Sequence, residues 1–402
     1  MKQRYGSEVR FDLMWSDLAE VGRARSGGYR RYAWTREDSA LREWFAGEAT
    51  SRGMDLVLDR AGNQWAWWGV PDADGPGLVL GSHLDSVPDG GAFDGPLGVV
   101  SAFAALDALR DRGTAPARPV AVAHFGDEEG ARFGVACAGS RLVTGALDAD
   151  RARGMTDADG VPMAEAMARA GHDPGQVGPD REALGRVGVF VELHVEQGRA
   201  LADLDRPVAV GTGIWPHGRW RLELPGEANH AGTTRLADRR DPMLGFAEVV
   251  LAARAAAVRH GALATCGKVT VAPNGVNAIP SAVTGWLDAR GADAAWVWAI
   301  VADVEAAVAT YGGTVVEESW TPDTAFDPAL AARLAGLLGD APLLPTGAGH
   351  DAGILAAAGI PTAMLFVRNP TGVSHSPVEH AERADCLAGV DALTAVVTEL
   401  TQ

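Results

Sequence analysis

Gly77-Leu78-Val79-Leu80-Gly81-Ser82-His83-Leu84-Asp85 is a short apolar run that stops at a histidine and an aspartate. A continuous apolar run of this length reads as a strand buried on both faces, the kind found in parallel or mixed sheets. Two further runs share its pattern. Pro119 to Phe125 leads into Gly126-Asp127-Glu128-Glu129, and Gly188 to Leu193, which contains Glu192, leads into His194. A buried strand gains nothing from a terminal His or Glu unless a partner offsets its desolvation. In open α/β sheets, sites gather at the carboxyl ends of strands. The three strand ends are therefore candidate pieces of one site.

Outward from these runs, residues 38–52 carry Leu41, Trp44, Phe45 and Ala49 at helical spacing, and 97–112 is an Ala-rich helical stretch. Met54 to Leu58 and Gln64 to Val70 read as strands. Strands alternating with helices predict an α/β catalytic domain with a central mixed sheet. The texture changes near residue 208. Arg219 to Leu224 alternates polar with apolar, as a strand with one exposed face does. Helices over 243–258 and 293–310, with strands at Lys268 to Val271 and Val283 to Asp288, predict a smaller inserted α+β domain. The α/β pattern then returns, with Ile360 to Val367 as a buried strand. The expected domains are 1–208 with 322–402, and 209–321 as the insertion. Asp148 to Asp159 is charged and small, and reads as an exposed loop.

Composition narrows the partners. With 35 Lys and Arg against 52 Asp and Glu, the formal charge of −17 repels nucleic acid and anionic membranes. No apolar run approaches the roughly 18–20 residues of a membrane span. Cys137, Cys266 and Cys386 are widely spaced, which points to neither a disulfide framework nor a thiolate metal site. A cytoplasmic setting is expected. Met1 to Gly6 has no apolar core, so no signal peptide is expected.

His83 and Asp85 are two apart and share a strand face, so the first can bind a metal while the second orients its ring. A strand end followed by a turn aspartate is the plainer alternative. Gly90 to Gly98 is a loop entering a helix, and Asp94 within it can bridge two cations or simply start the helix. Glu128 and Glu129 are adjacent and diverge. One can bind a metal while the other faces a water, and spacing does not say which. His230 and His375, taken alone, read as solvated loop histidines, and His350 in Gly349-His350-Asp351 is intermediate. His124, His172, His260 and His380 are expected to be structural. A donor set of His, Asp and Glu without Cys suits Zn²⁺, and also Mn²⁺, Co²⁺ or Ni²⁺.

Seven strings carry a resemblance: GSHLDS at 81–86, GGAFDGPLGV at 90–99, DEEGARFG at 127–134, ELHVEQG at 192–198, NHAGTT at 229–234, GAGHDA at 347–352 and GVSHS at 372–376. In this order they resemble the M20-type metallopeptidase superfamily, and within it the amidase branch of N-carbamoyl-L-amino-acid hydrolases, β-ureidopropionases and allantoate amidohydrolases. The resemblance implies two divalent ions, with His83 and His194 on one, Glu129 and His375 on the other, and Asp94 between them. It implies Glu128 as general base, Asp85 as support for His83, and His230 at the oxyanion. Asn277 and Arg290 match positions that hold a substrate carboxylate, and Gln197 is a further substrate contact. His217 and His350 are grouped with the substrate-binding residues. His217 stands where such proteins often have Gln, and Arg235-Leu236 also departs from their pattern, which leaves the substrate open.

The implied architecture adds an inserted lid and dimerisation domain to the catalytic α/β domain, in a homodimer whose lid residues complete the partner's site. The implied reaction is hydrolysis of an N-carbamoyl, ureido or allantoate-type C–N bond on a small carboxylate, by water activated between two ions about 3.5–4 Å apart. N-formyl or N-formimino amino acid hydrolysis, aminoacylase or dipeptidase activity, and an inactive metal-binding protein are the alternatives.

Overall fold

The computed structural model describes residues 6–402; Met1 to Tyr5, on which the signal-peptide expectation rests, lie outside them. The chain divides into two compact units, one running to Gly213 and resuming over Ala325–Gln402, the other Ile214–Thr324.

The first unit is built on a nine-stranded sheet. At its centre Val120–Phe125, Gly77–His83, Val187–Val195 and Thr362–Val367 lie side by side, all parallel. Gln64–Trp68 flanks them antiparallel on one side, with Asp55–Leu58 antiparallel to it in turn, and Val208–Ile214 flanks them antiparallel on the other. The sheet is therefore mixed. Every residue of Gly77–His83 is buried, as the apolar run requires.

Strand alternation divides the side chains. Leu78, Leu80, Val120, Val122, Val191, Leu193, Ala363 and Leu365 join one large core. The helices Ser7–Leu18, Arg36–Ser51, Pro96–Asp111, Pro328–Leu337 and Arg383–Leu400 supply most of its other residues. Each large side chain buried there contributes roughly 1.5–3 kcal/mol. Val79, His83, Phe190, Glu192 and His194 turn to the opposite face. The helix Pro96–Asp111 is apolar almost all round and accordingly buried. Gly95, at φ 87, precedes it, and a Cβ there would lie 2.4 Å from the His83 ring, so only glycine lets the chain pass.

One local expectation is corrected. Asp148 to Asp159 is not simply a loop, because Ala149–Gly154 forms a short helix. Asp148 caps it by accepting the Arg151 N–H at 2.8 Å, and Ala152 is buried. The charge that suggested exposure includes a helix-starting aspartate.

The second unit holds a four-stranded antiparallel sheet in the order Thr314–Thr321, His217–Pro225, Ala282–Arg290, Leu263–Ala272. Burial alternates along Ala282–Arg290. Trp220, Leu222 and Leu224 pack with Val249 of the helix Pro242–His260 and with Ile300 and Val304 of Ala294–Thr310. A short ribbon pairs Asn229–His230 with Ala278–Ile279. Among the described residues, no helix is long and apolar enough to cross a membrane.

Candidate metal centre

The carboxyl ends of the central parallel strands deliver His83, Glu128, Glu129 and His194 to one place. The turn before Pro96 adds Asp94, and the loop after Thr362–Val367 adds His375. Two sets of ligand-capable atoms result, His83 with Asp94 and His194, and Asp94 with Glu129 and His375, each set within 4.8 Å. Asp94 is common to both and divides its oxygens between them. Its Oδ1 lies 3.1 Å from His194 Nε2 and 3.6 Å from His83 Nε2, while Oδ2 lies 3.4 Å from His375 Nε2.

The imidazole tautomers follow from their other contacts. His194 Nδ1 is 2.9 Å from the Val195 carbonyl, and His83 Nδ1 is 3.2 Å from the Asp85 carbonyl. A carbonyl only accepts, so each Nδ1 carries hydrogen and each ring, once Nε2 is deprotonated, presents that lone pair to Asp94. Both Nε2 atoms are buried without a hydrogen-bond partner, as is Glu129 Oε1. His194 Nε2 is close to Asp94 Oδ1, but the two do not meet in hydrogen-bond geometry. A lone pair facing a carboxylate oxygen repels it unless a cation or proton lies between.

The electrostatics agree. Burial alone would lower the His83 pKa, but Glu128, Asp85 and Asp94 outweigh it and hold the ring well above its usual value. At His194, Asp94 and Glu192 outweigh burial in the same way. Burial, reinforced by Asp94, pushes Glu129 up to about 8. Glu128 is also raised well above the carboxylate range, by burial first and then by Asp351 and Glu129 working against His83. A dense negative cluster with unpaired nitrogen and oxygen donors is what a divalent cation satisfies, and the residues fit one.

Asp85 stands beside His83 and also reaches the neighbouring strand end. Its carboxylate accepts the backbone N–H of Glu128 at 3.1 Å and of Glu129 at 3.0 Å. Its Oδ1 is 3.5 Å from His83 Nδ1, farther than its own main-chain oxygen. The main-chain oxygen of Asp85 is the nearer partner of the ring, with its carboxylate beside it, and that carboxylate also holds the turn of the neighbouring strand. That turn passes through Asp127 at φ 55, which aims both N–H groups at Asp85. The adjacent glutamates diverge. Glu128 Oε2 lies 3.7 Å from His83 Nε2, and Glu129 Oε2 lies 3.7 Å from His375 Nε2. Glu128 belongs to neither ligand set.

Gln197 Nε2 donates to Asp94 Oδ2 at 2.9 Å and to Ser374 Oγ at 3.2 Å, and lies 3.3 Å from His375 Nε2. The amide thus serves the same lone pairs a cation in the second set would. His350 stands edge-on to His194 at 4.5 Å between centroids, and burial holds its pKa well below the usual value, so it is neutral. Glu192, His194 and His350 form a third metal-capable set. Glu192, however, already accepts from Ser82 Oγ at 2.7 Å and from the Ala352 N–H at 3.0 Å, which marks it as a support. His124 contacts Gln64 Oε1 at 2.9 Å, and His172 packs on Trp34, both as structural histidines do. Sequence reasoning missed Cys137, whose thiol donates to Glu128 Oε1 at 3.4 Å, and also Ser374 and Glu379. No periodic pattern marks these three: Cys137 meets Glu128 across an irregular turn, and Ser374 and Glu379 reach Asp94 from 280 residues or more away.

His217, His230, Asn277 and Arg290 lie in the Ile214–Thr324 unit. His230 Nδ1 accepts the Gly232 N–H at 3.0 Å, so its neutral ring carries hydrogen on Nε2 and can donate. The Asn277 carbonyl accepts the Ala231 N–H at 2.9 Å, which ties it to the His230 turn. Arg290 sits opposite His217 in register. Its guanidinium grips Asp288, with Nε to Oδ1 at 2.8 Å and Nη2 to Oδ2 at 2.6 Å. His217 Nδ1 donates to the Trp215 carbonyl at 2.9 Å, and burial lowers its pKa, leaving Nε2 as an acceptor.

An α/β sheet gathering His, Asp and Glu donors at the carboxyl ends of its parallel strands defines a metal-using hydrolase. The chain belongs to peptidase family M20/M25/M40, whose model matches residues 79–399. It is 36% identical to the N-carbamoyl-L-amino acid amidohydrolase of Geobacillus stearothermophilus, over 96% of this chain and 97% of that protein. It is 31% identical to the allantoate amidohydrolase of Escherichia coli (strain K12), over 95% of each. A crystal structure of a hydantoinase/carbamoylase family amidase from Burkholderia vietnamiensis matches with a TM-score of 0.88 and 30% identity, covering 98% of both chains.

Proposed function

We propose that this protein hydrolyses a linear, non-peptide C–N bond, of N-carbamoyl, ureido or allantoate type, in a small carboxylate-bearing molecule. The observation that carries the reading is Asp94, one carboxylate whose two oxygens serve two separate ligand sets. Two divalent ions are the occupants that arrangement suits, with Zn²⁺ first and Mn²⁺, Co²⁺ or Ni²⁺ as alternatives. Bound there, the ions supply Lewis acidity and lower the pKa of water towards neutrality.

The protein's own groups divide the remaining work. Glu128, outside both sets and facing His83, takes the proton of the attacking water and passes it to the leaving nitrogen. Its pKa, raised chiefly by burial, makes it a stronger proton acceptor than an ordinary carboxylate. His230, with hydrogen on Nε2, donates to the developing oxyanion. Arg290, with Asn277, anchors the substrate carboxylate, and Asp288 holds its guanidinium plane. That local cation is how a protein of charge −17 takes an anionic substrate. Gln197, His217 and His350 supply neutral polar contacts to the rest of the molecule.

The 214–324 unit serves as the lid and as the dimerisation surface of a homodimer. Leu244, Leu251 and Val258 recur every seven residues on the helix Pro242–His260 at 64%, 69% and 68% exposure, an apolar stripe that a second copy would cover. The three free cysteines suit a reducing cytoplasm.

The test is turnover of a panel of N-carbamoyl, N-formyl, N-formimino and N-acetyl amino acids, dipeptides and allantoate, with Zn²⁺, Mn²⁺, Co²⁺ and Ni²⁺ added in turn. Preferred cleavage of a carbamoyl, ureido or allantoate substrate supports the reading. Preferred cleavage of dipeptides or N-acetyl amino acids overturns it.

A further inference from the structure

Glu379 lies outside every group assigned so far, yet it ties the two loops of the metal centre together. It is buried, at 5% exposure. Its Oε1 accepts the backbone N–H of Phe93 and of Asp94, both at 3.0 Å and both across more than 280 residues of chain. Its Oε2 accepts from Ser374 Oγ at 3.1 Å, and Ser374 immediately precedes His375. The same hydroxyl lies 3.3 Å from Asp94 Oδ2. Ser374 has one hydrogen for two carboxylates, so Glu379 also decides how that hydroxyl faces Asp94.

The glycine at 91 reports the same contact from the other side. A Cβ on Gly91 would lie 2.3 Å from Glu379 Oε1 and 2.5 Å from Glu379 Cβ. The Glu379 side chain therefore lies flat against the loop backbone, and its own Cβ leaves no room to give way. A buried carboxylate beside Asp94 is electrostatically unfavourable. Two backbone donors that would otherwise be buried without partners explain why an oxygen acceptor of this reach stands there.

We infer that Glu379 is a positioning residue. By gripping the Phe93 and Asp94 amides and the Ser374 hydroxyl at once, it holds Asp94 and His375 in the mutual register that the second ion requires. The inference rests on the two-ion reading above. Its determinant is reach and not charge, which separates two conservative variants. Glu379→Gln keeps an oxygen for the amides and offers Ser374 a donor, which frees the hydroxyl hydrogen for Asp94. Glu379→Asp keeps the charge but is one methylene too short to span both loops.

The experiment strips the full-length protein with chelator and titrates it with Co²⁺, following visible absorption and the melting temperature of the stripped form. Wild type should take up two equivalents. Glu379→Ala and Glu379→Asp should weaken the second equivalent by about 10–100-fold, while Glu379→Gln stays within about threefold of wild type. If Glu379→Ala does not fold, the Asp and Gln pair decides. Wild-type affinity in Glu379→Asp, or Glu379→Gln as weak as Glu379→Asp, overturns the inference. Fewer than two equivalents in wild type is a different failure, which overturns the two-ion reading itself.

Discussion

Asp85 Oδ1 accepts the backbone N–H of Glu128 at 3.1 Å, so an aspartate just past the end of one parallel strand places the proposed general base at the end of the next. Its second oxygen does the same for Glu129. Asp85→Ala leaves both amides without that acceptor and releases the turn. Activity or metal affinity should fall about 10–100-fold with the fold intact, measured by steady-state kinetics and metal content. Wild-type values in both would show that the turn holds itself.

Glu128→Gln keeps the size and the backbone of that turn but cannot take a proton. It should bind metal as wild type does and lose about 10²–10⁴-fold in kcat. Near-normal turnover would remove Glu128 from the mechanism.

Arg290→Ala should act on binding. A hydrogen bond to a charged group is worth about 1.5–3 kcal/mol, so KM for carboxylate substrates should rise roughly 10–100-fold, with kcat less affected. The corresponding amide or ester substrates should show a much smaller change. An unchanged KM would mean that the pairing with Asp288 consumes the guanidinium and that the anchor lies elsewhere.

Metal affinity should depend on pH with a definite sign. Glu129, lifted to about 8 chiefly by burial, must lose its proton to ligate. Protons therefore compete below about pH 8, and apparent affinity should rise by up to tenfold per pH unit for each proton released, then level off. Linkage gives a second reading of the same group. A folded-state pKa raised above the unfolded value contributes stability that is present at low pH and lost as pH rises through about 8. Asp351, raised to about 8, and Glu379, to about 7, both mainly by burial, add in the same direction. The stripped protein should thus melt progressively earlier from about pH 5 to pH 8.5, and the stabilisation by added metal should grow over that range. A melting temperature of the stripped form that rises with pH would contradict it.

Much of the first unit was legible before any coordinates. Gly77–His83, Val120–Phe125 and Val187–Val195 announce themselves because a strand covered on both faces must be apolar throughout, and hydropathy is a local property. The same logic made His83, Glu128, Glu129 and His194 conspicuous, since polar groups at such ends need a partner. Asp148 was misread because charge signals both exposed loops and helix caps, and only the Arg151 N–H it accepts tells them apart.

The sequence by itself determined the mixed α/β sheet and which side chains end its buried strands, because periodicity and burial are written residue by residue. Tertiary structure alone decided which of them meet. Glu128 and Glu129 are neighbours in any sequence, but only the packing of Gly77–His83 beside Val120–Phe125 turns one towards His83 and the other towards His375. Asp85 adds a hold on two backbone amides to its place beside the His83 ring, and Glu379 reaches a loop more than 280 residues away. Such contacts leave no periodic trace, because they depend on where two distant backbones happen to pass.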